Sequence, residues 1–176
     1  MPETLPTSPS QLLAMLDDLN YKTVTHTHQA VFTVEESNEV TANIKGGHTK
    51  NLFLKDKKDN YFLIIAGHHA KIKLNKAHKL IGAHKRVSFA SEEKLMEYLG
   101  VKPGSVNAFA PLNDKEGKVV VIIDAPLLEN EFINAHPLTN TMTTTISKED
   151  LLAFLTHVNH APKIVQLSEI DDNAHL

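Results

Sequence analysis

The chain has 176 residues, 41% apolar and 22% charged, which fits one globular domain with a single core and excludes a disordered or fibrous protein. It has no cysteine, which removes disulfides, thiolate metal ligands and a thiol nucleophile, and fits a cytoplasmic setting. The net charge of −3 hides a segregation: residues 45–86 hold eleven Lys and Arg against two acids, and the rest of the chain is acidic.

Met1–Ser10 has three prolines and no apolar run, so no signal peptide is expected. No segment reaches the ~18 apolar residues of a membrane span. Ser8 with Gln11 forms a capping box ahead of an apolar stripe, Leu12, Leu13, Leu16 and Leu19, which predicts a helix. Tyr21–Thr27 alternates and reads as a strand. Thr33 with Glu36 predicts a second cap and a short helix toward Ala42, before Gly46-Gly47 breaks the chain. Asn51–Leu54 and Tyr61–Ala66 read as a hairpin around the polar turn Asp56–Asn60.

A helix through Ile72–Ile81 ends at Gly82, Arg86–Ala90 is a candidate strand, and Ser91 caps a helix running to Leu99. Val106–Leu112 and Val119–Asp124 flank the turn Asn113–Gly117 and suggest another hairpin. Thr141–Ile146 is strongly β-branched, hence a strand. Ser147 and Asp150 cap a last helix with Leu151, Leu152, Phe154, Leu155 and Val158 on its apolar face. Ile164–Leu167 is a candidate final strand, and residues 169–176 read as a frayed acidic tail after one domain over 1–168. Hairpins with irregularly interspersed helices predict an α+β fold with a largely antiparallel sheet or barrel.

Generic catalytic signatures are missing: no Walker loop, no G-x-G-x-x-G, no H-E-x-x-H and no G-x-S-x-G. His26-x-His28 and His68-His69 could supply metal ligands, but the spacing identifies no third ligand, so no metal site and no cofactor is expected. The basic block reads either as a solvated face or as a docking surface for phosphates. The run His48-Thr49-Lys50-Asn51-Leu52-Phe53-Leu54-Lys55-Asp56 puts a Lys and an Asn at a hairpin mouth. There they either hold a phosphate and a polar group or merely edge a sheet. Leu99–Val106, with Gly100, Pro103 and Gly104, is either a turn or a nest of backbone N–H groups facing an oxyanion or a water. His136-Pro137-Leu138-Thr139-Asn140 places an imidazole and an amide in one loop.

Taken in order, Val31–Glu36, His48–Asp56, Ser88–Ala90, Leu99–Val106, Asn113-Asp114 and His136–Asn140 resemble the prolyl-tRNA editing proteins of the YbaK/ProX superfamily. Within it they are most similar to the free-standing alanyl-tRNA(Pro) deacylase branch (PrdX, or ProXp-ala). The resemblance runs over roughly residues 8–168 and is densest over His48–Asp56. It implies a compact α+β domain around a curved, barrel-like mixed or antiparallel sheet with surrounding helices. It also implies hydrolysis of the ester between alanine and the terminal adenosine of tRNA(Pro), in trans to prolyl-tRNA synthetase.

By position in the motifs, Lys50 is implied to bind the terminal nucleotide and Asn51 to support it. Gly104, Ser105 and Val106 are implied to form the loop that holds the aminoacyl carbonyl or the attacking water. His136 is implied to line the pocket with Asn140 nearby, and Val31, Phe32 and Val34 to lie near the aminoacyl side chain. The chain departs from the superfamily at Ala108 and Ala110, where a proline and a glycine are usual, and at Asn159-His160-Ala161-Pro162. With no Ser/His/Asp set and no cysteine, the expected chemistry is direct attack by water, placed by backbone groups and a ribose hydroxyl. A non-catalytic tRNA- or synthetase-binding adaptor, and a deacylase for another small aminoacyl group, are the alternatives.

Overall fold

A computed structural model of the chain describes residues 5–33, 35–36 and 42–169. Its elements in chain order are α1 (Pro9–Asp18), β1 (Val24–Thr27), β2 (Gly47–Lys55), β3 (Tyr61–Gly67), α2 (Leu74–Ile81), β4 (Ser88–Phe89), α3 (Glu92–Leu99), β5 (Val119–Asp124), β6 (Phe132–Ala135), β7 (Met142–Ser147), α4 (Lys148–His157) and β8 (Lys163–Val165). Short 3-10 segments at Ala110–Asn113 and Ala125–Glu129 precede and follow β5.

The caps form as expected. Ser8 Oγ accepts from the Gln11 N–H while Gln11 Oε1 accepts from the Ser8 N–H, and Pro9 starts α1 where its missing N–H costs nothing. Ser91 and Ser147 cap α3 and α4. Thr33 Oγ1 accepts from the Glu36 N–H, and the rest of the helix expected toward Ala42 lies outside the described residues.

One mixed sheet runs in the order β1-β7-β6-β2-β3-β5-β8, with β4 added on β2. The mixed sheet with its surrounding helices is the α+β domain expected, and it is not closed: β1 and β8 end it at opposite sides and do not pair with each other. Four of its pairings are antiparallel, β1–β7, β2–β3, β2–β4 and β6–β7, and three run parallel, β2–β6, β3–β5 and β5–β8. The hairpin expected from residues 106 to 124 is replaced by a parallel β3–β5 pair. Its first limb fails as a strand for local reasons. Asn107 accepts from the Phe109 N–H and donates to the Ser105 carbonyl, which curls the backbone, and Pro111 has no N–H for a ladder.

The central strand β3 is covered on both faces, so it reads as a continuous apolar run. Tyr61, Leu63 and Ile65 join a larger core with Leu12 and Leu16 of α1, Leu95 and Leu99 of α3, and Leu151, Phe154 and Leu155 of α4. Phe62, Ile64 and Ala66 face a smaller core with Ala77 and Ile81 of α2. The polar turn between β2 and β3 is organised by buried Asp56, whose carboxylate accepts from the N–H groups of Lys58, Asn60 and His84 and from Asn60 Nδ2. Burial alone would raise its pKa, but these four donors outweigh it and hold the carboxyl at about 2. The C-terminal segment is tied in through Glu169, whose N–H bonds the Lys71 carbonyl and whose carboxylate pairs with Lys73. The remainder of the expected tail lies outside the described residues. Among the described residues no helix is long and apolar enough to cross a membrane.

Candidate functional site

The site lies where the sheet splits. One edge of β2 is bonded to β3 from Thr49 to Lys55. Its other edge is held by β6 only at Gly47 and His48, and by β4 only at Leu54 and Lys55. Between those contacts, apart from the Ala90 N–H on the Phe53 carbonyl, the edge of β2 has no strand partner. Successive side chains of a strand point to opposite faces, so Lys50 and Asn51 could not ordinarily share a pocket. At an open edge they can, and both line a cavity of about 220 Å³ with Val31, Phe32, Thr33, Thr49, His68, Gly104, Val106 and His136.

The split begins at Gly46, whose φ of +112° places it in the left-handed region. A Cβ there would stand 2.9 Å from the Phe132 carbonyl oxygen, so the close approach to β6 requires glycine. From that point Thr49 Oγ1 donates to the Asn134 carbonyl at 2.8 Å, pinning β2 beside β6 at the edge of the cavity.

Each wall is fixed by a traceable contact. The Lys50 ammonium donates to the Ala70 carbonyl in the turn after β3, which steers the side chain across the strand end. Asn51 Oδ1 is buried with no hydrogen-bond partner among the described residues, an acceptor in need of a donor. Gly104 has φ +90°, and a Cβ there would come within 3.1 Å of the Phe32 ring. The aromatic therefore seats directly on the glycine while remaining 69% exposed. His136 bonds the Met142 carbonyl through Nδ1 at 2.8 Å, which assigns the proton to Nδ1 and leaves Nε2 as the acceptor. Burial pushes this imidazole below the usual histidine range, against the opposing pull of that carbonyl.

Asn140 is a support. It is buried, and its Nδ2 donates to the Val31 carbonyl at 3.0 Å while its own carbonyl accepts from the Val31 N–H at 3.3 Å. The loop that joins His136 to Asn140 turns at Leu138, a non-glycine residue with φ +64°, a conformation that costs on the order of 1–3 kcal/mol and is over-determined by its surroundings.

Lys50, Asn51, Gly104, Val106, His136, Val31 and Phe32 are thus brought together. Asn140 sits one contact behind them, and Val34 lies outside the described residues. Ser105 does not line the cavity, and its N–H is donated to the Lys102 carbonyl. Ala108 and Ala110 are fully buried in the larger core beneath the loop, so the two departures face away from the cavity. Thr49, Thr33 and His68 were not singled out as site residues. His68 carried a signal, the His-His pair at a strand end, but spacing alone suggested only a metal ligand. Among the described residues no group of three or more His, Asp or Glu is placed to hold a metal ion.

Comparison with known proteins adds an independent line. The family model of the aminoacyl-tRNA editing domain matches residues 28–154. The prolyl-tRNA synthetase associated domain-containing protein 1 of Danio rerio is 37% identical over 157 residues, covering 88% of this chain and 85% of its own. The prolyl-tRNA editing protein ProX of Acetoanaerobium sticklandii is 36% identical over 141 residues, covering 80% and 85%. Among solved structures, a candidate trans-editing enzyme for prolyl-tRNA synthetase superposes with a TM-score of 0.70 over 95% of this chain and 100% of that one, at 20% identity.

Proposed function

The chain belongs to the aminoacyl-tRNA editing domain family, and we propose that it hydrolyses alanine from mischarged alanyl-tRNA(Pro), acting in trans to prolyl-tRNA synthetase. The observation that carries this reading is the cavity at the open edge of β2, which gathers Lys50, Asn51, Gly104, Val106 and His136. Its volume, about 220 Å³, falls below the ~300–1,000 Å³ of ordinary small-molecule pockets. A cavity of that size suits the aminoacyl end of a larger substrate, with the nucleotide lying across the mouth.

In this reading the Lys50 ammonium, with protons beyond the one given to Ala70, holds the terminal nucleotide. A ribose hydroxyl supplies the donor that Asn51 Oδ1 lacks. Exposed Phe32 offers a face on which the terminal base stacks, since single-stranded ends are commonly held on aromatic rings. Gly104 and Val106 of the loop face the aminoacyl carbonyl, and water attacks it within the cavity. His136 and Val31 set the limit on side-chain size. A synthetase site built for proline cannot exclude the smaller alanine, because a missing methylene is worth only about 1–3 kcal/mol, so a second site that admits only the smaller group is the physical remedy.

The test is deacylation of alanyl-tRNA(Pro), prolyl-tRNA(Pro) and seryl-tRNA by the purified protein. Rapid loss of alanine with proline spared supports the reading. Faster loss of serine would reassign the substrate, and survival of all three esters would leave a tRNA- or synthetase-binding adaptor.

A further inference from the structure

His28 stands just past the end of β1, where its spacing from His26 suggested only a metal ligand. The structure commits both of its ring nitrogens elsewhere. Nδ1 faces the Gln29 carbonyl at 2.7 Å, and Nε2 faces the Thr143 hydroxyl at 2.8 Å. A carbonyl can only accept, so Nδ1 carries the proton of the neutral ring and Nε2 accepts from the buried Thr143. The His28 backbone N–H adds a third tie, to the Thr141 carbonyl at 2.8 Å. Held in this way, the ring meets that of His136 edge-on, with centroids 6.1 Å apart and planes at 60°.

Resting on the deacylase reading, we propose that His28 is a positioning residue that sets the side-chain size limit by holding the His136 ring in place. His136 lines the cavity and His28 does not, so His28 acts through the ring it touches. The hydrogen bond from His136 Nδ1 to the Met142 carbonyl pins one atom and leaves the tilt of the ring plane free. An edge-on neighbour restricts that tilt, because a turned ring would lose its packing or collide. Thr141 and the first two residues of β7 supply one frame for both rings. Thr141 takes the His28 backbone, Met142 takes the His136 ring, and Thr143 takes the His28 ring. Thr143 is also paired with His26 across the β1–β7 ladder, so the frame belongs to the sheet.

A wall free to swing back would admit the larger proline side chain, so its backing bears directly on specificity. Removing the His28 ring alone would also strand the Thr143 hydroxyl, a buried group that then lacks its partner. Replacing both partners by apolar groups avoids that penalty. The comparison is therefore made in Thr143→Val, which keeps the β-branched shape suited to a strand.

The test measures kcat/KM for alanyl-tRNA(Pro) and prolyl-tRNA(Pro) in wild type, His136→Ala, His28→Ala with Thr143→Val, and His28→Phe with Thr143→Val. A further variant combines His28→Ala and Thr143→Val with His136→Ala. One methylene discriminated by a pocket is worth roughly 10- to 200-fold, so loss of the ring should raise the prolyl-to-alanyl ratio at least about 10-fold. His28→Phe restores a ring without its hydrogen bonds and should return the ratio to within about threefold of wild type. In the His136→Ala background, loss of His28 should raise the ratio no further, because its route to the cavity is already gone. A merely structural residue would lower the melting temperature and both rates together and leave the ratio alone. A ratio that stays within about threefold of wild type without the ring, failure of His28→Phe to restore it, or effects that multiply in the combined variant would overturn the proposal. So would a His136→Ala ratio equal to wild type, since there would then be no wall to hold. Wild type inactive on every aminoacyl ester would instead remove the deacylase reading itself, a result that needs no variant to see.

Discussion

Lys50 has three ammonium protons, and the Ala70 carbonyl takes one of them. The contact holds a flexible side chain in one orientation before substrate arrives, so less conformational entropy is lost on binding. A charge-assisted hydrogen bond is worth about 1.5–3 kcal/mol, which sets the scale of its loss. Lys50→Ala should lower kcat/KM for alanyl-tRNA(Pro) about 10- to 100-fold. Lys50→Arg should not recover it, because a planar fork cannot reproduce a point charge bonded to one carbonyl. His136→Ala should behave in the opposite sense. Removing a wall enlarges the cavity, so turnover of prolyl-tRNA(Pro) should rise relative to alanyl-tRNA(Pro) while the alanyl rate falls less than in Lys50→Ala. Parallel deacylation assays on the two esters separate these outcomes, and equal behaviour of both variants and wild type would contradict the assignment of roles.

Elements carry what single residues cannot, and the loop between α3 and β5 is the clearest case. Gly104 combines φ +90° with a ring of Phe32 placed 3.1 Å from any added Cβ. Gly104→Ala should cost about 1–2 kcal/mol in stability from the left-handed backbone alone. Because the Phe32 ring is exposed and can give way, the larger consequence is displacement of the loop, with kcat/KM reduced up to about 100-fold; thermal melts and kinetics together distinguish the two effects. Beyond the loop, α4 is fastened to the start of β5 by a buried pair. His160 Nδ1 faces the Val158 carbonyl at 2.7 Å and Nε2 faces the Asp114 carboxylate at 2.9 Å, so an acceptor stands at each ring nitrogen and the pair favours the protonated ring. Burial would push His160 down, but Asp114 and Val158 outweigh it and raise its pKa. Asp114, itself pushed up by burial, is drawn lower by His160 and by the Val119 N–H. The raised His160 pKa gives stability that is complete below its unfolded value near 6.5 and is lost as pH rises through the folded value. The lowered Asp114 pKa gives stability that is lost as pH falls through its own folded value. Melting temperature should therefore decline above about pH 6.5, and His160→Gln should flatten that decline. Removal of one partner should cost about 3–5 kcal/mol, since it strands a buried charge.

The whole molecule shows why some of this was legible beforehand and some was not. Caps and apolar periodicity are local, so α1, α3, α4 and the β2–β3 hairpin followed from Ser8, Ser91, Ser147 and the polar turn at Asp56. The parallel pairing of β3 with β5 is not local, and Val106–Leu112 imitated a strand until Asn107 and Pro111 bent it. Strand β6 escaped notice because its four residues Phe132–Ala135 have no alternation to show. Site residues surfaced where a motif was dense, as at Lys50 and Asn51, whereas His68 needed three-dimensional company to gain meaning. Charge was visible in sequence, but its placement was not. Lys45, Lys57, Lys58, Lys71, Lys73, Lys76, Lys79, Lys85 and Arg86 are all exposed, while Asp56, one of the two acids in that block, is buried and occupied by four donors. Of these, Lys71, Lys73, Lys76 and Lys79 follow in the chain after Ala70, the residue that holds Lys50, with Lys76 and Lys79 on α2 and Lys73 paired with Glu169. An acceptor stem whose terminal adenosine occupies the cavity would lay its phosphates along such a track. Each phosphate neutralised releases condensed counterions, so affinity for tRNA should fall steeply with salt, with a log–log slope of about −0.7 to −0.9 per contact. Lys76→Glu combined with Lys79→Glu should reduce both that slope and kcat/KM at low salt, yet leave hydrolysis of a minimal aminoacyl-adenosine ester unchanged. A deacylation rate for the full tRNA that ignored salt between 50 and 200 mM (roughly the range over which such contacts weaken most visibly) would place the RNA on some other face.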